Sequence, residues 1–79
     1  MKLTKVQKEV LTLLDAGEIL EVDSMNLSKI GDRDVAFSTR TFLTEKRLVT
    51  RKDKSKAVTT KGNGFVISEK GKKALRGEL

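Results

Sequence analysis

The stretch from Ser38 to Asp53, S-T-R-T-F-L-T-E-K-R-L-V-T-R-K-D, constrains the fold more than any other part of the chain. A short amphipathic segment runs with almost no connector into a β-branched one and then into a series of cations. The chain has 79 residues, and one of that size buries only about 60% of the surface that its unfolded form exposes. The core must therefore be small, and the remaining segments can do little beyond supporting this unit or extending it. A helix, a strand and a basic arm in that order point towards nucleic acid.

Charge strengthens the reading. The net charge is +6, but residues 1–39 carry five cations against seven anions, a balance of −2, whereas residues 40–79 carry twelve against four, a balance of +8. A segregated positive field draws polyanions and accelerates encounter with them without specifying a sequence. At 37% hydrophobic and 35% charged residues the composition suits a small helical or α+β module better than an enzyme with a deep cleft. There is no cysteine for a disulfide or a thiolate zinc site, and no histidine to act as general base or metal ligand. No apolar run approaches the roughly 20 residues that span a bilayer. These features predict a cytoplasmic protein with no membrane partner and no cofactor.

Taken in order, Thr4 and Gln7 have the spacing of a capping box, and Leu3, Val6, Val10, Leu13 and Leu14 recur at three and four. A first helix is predicted over about 5–16, ended by Gly17. Ile19 to Val22 reads as a short strand. Asp23 or Ser24 can cap a second helix over about 24–30 that buries Leu27 and Ile30 and stops at Gly31. Two helices joined by a turn containing glycine make a helix-turn-helix, whose second helix enters the major groove.

That next helix, over about 35–46, fits two registers. With Asp34 as cap it buries Val35, Thr39, Phe42 and Leu43 and leaves Phe37 outside; with Ser38 as cap, Phe37 and Phe42 form a hydrophobic staple. Both registers turn Arg40, Thr41 and Thr44 outward. Leu48 to Arg51 alternates like a half-buried strand, and Phe65 to Ile67 returns beside it. Between them lies a cationic loop with strong turn chemistry at Lys61-Gly62-Asn63-Gly64, so 48–67 reads as one β-hairpin. Ser68 caps a last helix over about 69–76.

Phe42-Leu43-Thr44-Glu45-Lys46-Arg47-Leu48-Val49-Thr50-Arg51 resembles the junction between recognition helix and wing in bacterial winged-helix regulators. Phe65-Val66-Ile67-Ser68-Glu69-Lys70-Gly71-Lys72-Lys73-Ala74-Leu75 is similar to the returning wing strand and following helix of MarR-type and related regulators. Over roughly residues 4–76 the resemblance implies an α+β winged helix-turn-helix, with a three-helix core, a β-hairpin wing and a short C-terminal helix. Two departures stand out: Arg47 occupies a position where glycine is usual, and the long terminal helices through which MarR proteins dimerise have no counterpart.

The resemblance implies sequence-specific binding of double-stranded DNA by a small transcriptional regulator of bacterial, plasmid or phage type. Arg40 would bond guanine, and Ser38, Thr39, Thr41 and Thr44 would reach phosphates or thymine methyls. Arg51, Lys52, Lys54, Lys56 and Lys61 would follow the flanking backbone or minor groove. A homodimer on paired half-sites fits the same geometry, and no small-molecule effector site is evident. An enzyme is not expected: the acids pair with no nucleophile or base, and Gly62-Asn63-Gly64 lacks the Lys-Ser/Thr of a phosphate-binding loop. The alternative is a winged-helix module that binds protein or RNA; exposed stacking aromatics would favour RNA.

Overall fold

A computed structural model describes all 79 residues. Helix α1 (Lys5–Asp15) begins at the Thr4–Gln7 capping box, both of whose hydrogen bonds form. Its inward face is Val10, Leu11 and Leu14, with Val6 left exposed. The buried arc is thus rotated towards Leu11 from the expected stripe, because α1 packs at once on the second helix, the last helix and a strand between them.

The second helix of the sequence reading is absent. Its place is taken by an antiparallel sheet of β1 (Glu21–Val22), β2 (Ser28–Ile30) and β3 (Arg33–Val35), in that order. The residues read as helix signals are the ones that make the turns. The Asp23 carboxylate accepts from Met25 N–H at 2.8 Å, a donor that a helix cap would also take, but its second bond is to Leu27 N–H at 3.0 Å, one residue beyond a cap's reach, because Asn26 at φ +65° turns the chain back. Gly31, at φ +59°, and Asp32 form the two-residue connection from Ile30 to Arg33, with glycine at the first central position as a type II′ hairpin turn requires. Ser28, Ile30 and Val35 point inward, whereas Leu27 is exposed.

Helix α2 (Phe37–Glu45) follows β3 directly. Neither expected cap is used: the N-cap is Ala36, which makes no side-chain bond, and Val35 belongs to β3. Strands β4 (Val49–Arg51) and β5 (Phe65–Ile67) pair antiparallel, and Leu20 pairs with Phe65 on the free side of β5 through two 2.9 Å bonds. Helix α3 (Glu69–Leu75) starts at Ser68, whose hydroxyl accepts from Gly71 N–H and donates to the Arg47 carbonyl. The chain is an α+β domain of three helices and two small antiparallel sheets. Its core gathers Val10, Leu11, Leu14, Leu20, Ile30, Val35, Leu43, Leu48, Val49 and Ala74 from every layer.

All three helices close the same way. After α1, the N–H groups of Gly17 and Glu18 bond the carbonyls of Leu14 and Leu13; after α3, those of Gly77 and Glu78 bond Ala74 and Lys73. After α2, Arg47 and Leu48 bond Thr44 and Leu43. These are Schellman motifs, whose first residue past the cap is left-handed. Gly17 and Gly77 meet that demand freely, but Arg47 must adopt φ +59°. An L-residue other than glycine is strained there by about 1–2 kcal/mol, of which the greater entropy of unfolded glycine cancels part. Arg47→Gly is therefore expected to stabilise the fold by about 0.5–1 kcal/mol, read as a higher urea midpoint at unchanged m.

Candidate nucleic-acid interface

The loop from Lys52 to Gly64 has no strand pairing of its own beyond Lys52 N–H to Gly64 O at 2.9 Å. It is held from within by Asn63, which is only 5% exposed. Asn63 Oδ1 accepts from Asp53 N–H at 2.7 Å, and Nδ2 donates to the carbonyls of Asp53, Lys56 and Ala57 at 3.1, 3.2 and 2.9 Å. One amide thereby fixes both limbs of the loop. Asp53 adds a tight turn by accepting from the Ser55 hydroxyl and N–H, and those bonds hold its carboxyl below the usual range.

With the backbone thus folded inward, Arg51, Lys52, Lys54, Lys56 and Lys61 all stand exposed. None is in an ion pair; the salt bridges join Arg33 to Glu9, Lys72 to Glu69 and Arg76 to Glu78. Lys52, Lys56 and Lys61 border a common depression of about 350 Å³ with Asp53, Gly62 and Asn63. Three cations converge there on a surface that an anion can reach.

The residues expected to read bases from α2 are arranged differently. Arg40 is 8% exposed and does not point outward. Its Nη1 donates to Ser28 Oγ at 2.7 Å and Asn26 O at 3.2 Å, and its Nη2 to Asn26 Oδ1 at 2.8 Å. Periodicity within α2 alone turns Arg40 outward, but Asn26 and Ser28 stand beside α2 in the fold and their oxygens capture the guanidinium. Thr39 is buried as well. Thr41 and Thr44 are half-buried, and the Thr44 hydroxyl donates to the Thr41 carbonyl at 3.0 Å. Of the α2 set only Ser38 is freely exposed.

Phe37, by contrast, is 61% exposed at the start of α2, with the Arg40 guanidinium 5.0 Å from its ring centre. It borders a groove of about 350 Å³ between α2 and the basic loop. Phe37, Val22, Val58 and Phe65 supply the apolar lining, and Asn26, Arg40, Thr41 and Thr44 the polar part. Asn63 and Asn26 escaped the sequence reading because nothing local marks a turn asparagine as a structural hub. One of the two registers of this helix turns Phe37 outward, the only sign of its exposure in the sequence.

No group of three or more acidic side chains gathers in a way that could hold a metal ion, and no helix is long and apolar enough to cross a membrane. No protein-family model matches the sequence, and neither a curated protein nor a solved structure is detectably similar to it.

Proposed function

We propose that this chain is a winged-helix variant that binds double-stranded DNA as a small regulator, holding the phosphate backbone with its basic loop. The observation that carries the reading is a set of five exposed cations outside any ion pair, Arg51 at the end of β4 and four lysines on the loop whose backbone is pinned by Asn63. A pinned loop gives up little entropy when it docks, so more of the electrostatic gain appears as affinity. The order Leu20, β5, β4 and the short α2 in front of them support the winged part of the reading.

The helix-turn-helix part is given up, since a hairpin stands where its first helix would be. Base reading by Arg40 is given up with it. Ser38, Thr41 and Thr44 remain as short polar groups for contacts to a groove, so backbone contacts would outweigh base contacts and sequence preference would be modest.

The reading is tested by fluorescence anisotropy of a labelled duplex across salt concentrations. If Arg51 and the four loop lysines each neutralise one phosphate, log K falls against log salt with a slope of about −4.5, and Lys54→Ala/Lys56→Ala flattens it to about −2.7. A protein that binds no duplex even at low salt, or whose slope the double substitution leaves unchanged, would refute the proposal.

A further inference from the structure

We infer that the groove between α2 and the basic loop receives an unpaired base of a DNA strand, stacked on Phe37, so that a duplex opened locally is favoured over a closed one and a single strand reports the contact. The inference rests on the DNA reading above and narrows its substrate. A lone exposed hydrophobic residue needs no explanation, but this one is built in. The Arg40 guanidinium lies against the Phe37 ring, and three hydrogen bonds to Asn26 and Ser28 fix that guanidinium in place. The ring is thereby held out from α2 with most of its surface open to a second flat partner.

Electrostatics point the same way. Arg40 is nearly buried, and no carboxylate lies within ion-pair distance of it. Its charge is satisfied by neutral oxygens alone, so the groove it borders keeps a positive potential that favours both a phosphate and the π-face of a base. The groove lining contains no acid. Beyond Val22 and Val58, which it shares, an adjoining depression reaches Lys29 and Lys61 but also the carboxylates of Glu21 and Asp23, so a phosphate would keep to the lysines. A strand whose base enters beside Phe37 thus finds the loop cations for its phosphates, whereas a base inside a duplex cannot present its face to a ring on the protein surface.

The sequence contains no tryptophan and no tyrosine, so Phe37→Trp makes position 37 the sole indole of the chain. The exposed ring can be replaced without opening the core. Titration with single-stranded DNA is expected to quench that indole, with affinity equal to wild type or tighter. Phe37→Ala is expected to bind the single strand about tenfold more weakly, while keeping duplex affinity and the salt slope of wild type.

Equal single-strand affinity of Phe37→Ala and wild type would overturn the inference and leave the duplex reading intact. Absence of binding to any nucleic acid would overturn both. An indole signal that changes with protein concentration alone would assign the groove to a second copy of the chain and overturn the inference. Tighter binding of an RNA strand of the same sequence would overturn the assignment to DNA.

Discussion

Arg40→Met is expected to lower folding stability by about 3 kcal/mol. Methionine keeps much of the buried stem volume, so the loss isolates the guanidinium rather than a cavity. That group makes three hydrogen bonds across twelve to fourteen residues of sequence, joining α2 to Asn26 in the turn between β1 and β2 and to Ser28 at the start of β2. Bonds to a charged donor are worth about 1.5–3 kcal/mol each when one partner is deleted, though two from one fork do not add fully. Ser28 Oγ would be left buried without its donor, and Asn26, held at φ +65°, would lose what over-determines that conformation.

The check is urea denaturation, in which the midpoint should fall sharply while m changes little. Arg40→Lys should recover only part of the loss, because one ammonium nitrogen cannot stand in for the two separated nitrogens of the guanidinium fork that reach Ser28 and Asn26. The contrary result is informative too. If Arg40→Met leaves the midpoint unchanged and instead relaxes preference for a selected DNA site, then Arg40 reads bases, as the sequence pattern suggested.

The contrast between Arg40 and Thr4 shows which features were legible in the sequence. Thr4 and Gln7 satisfy each other three residues apart, so local spacing contains all the information and α1 starts where the pattern says. Ser68 at the start of α3 is legible for the same reason. Asp23 and Gly31 are not, because an aspartate that accepts backbone N–H groups and a glycine at positive φ serve a helix end and a hairpin turn equally well. Only the pairing of Glu21 with Lys29 and of Ser28 with Val35, eight and seven residues apart, decides between them.

That one substitution propagates to the site. Replacing a helix by a hairpin brings Asn26 and Ser28 beside α2, buries Arg40 and leaves Phe37 outside. The basic loop was legible as charge and as turn chemistry, since lysines and a Lys-Gly-Asn-Gly tip declare themselves. That a single buried asparagine organises it was not, because the acceptors of Asn63 lie six to ten residues away.

Gly71→Ala sets a local rule against a tertiary one and is expected to destabilise by about 3 kcal/mol or more. Within α3 alone the change should help, since alanine exceeds glycine in helix propensity by about 1 kcal/mol. The surroundings forbid it. A Cβ at position 71 would stand 2.1 Å from the Leu48 carbonyl oxygen and 2.8 Å from Ile67 Cγ1. The isoleucine can rotate, but the carbonyl cannot retreat: it accepts from Ser68 N–H at 3.0 Å and lies between the close of α2 and the start of β4. The helix must therefore lift, weakening that bond and withdrawing Ala74 from the core.

In a domain of this size a 3 kcal/mol loss corresponds to a fall in Tm of about 12–24 °C, readily measured by circular dichroism. Lys73→Ala, at an exposed position of the same helix, serves as the control and should move Tm little in either direction. If Gly71→Ala instead behaves like Lys73→Ala, α3 does not pack on Leu48. The sharp passage from α2 through Arg47 into β4, on which both the basic loop and the Phe37 groove depend, would then lack its support from α3.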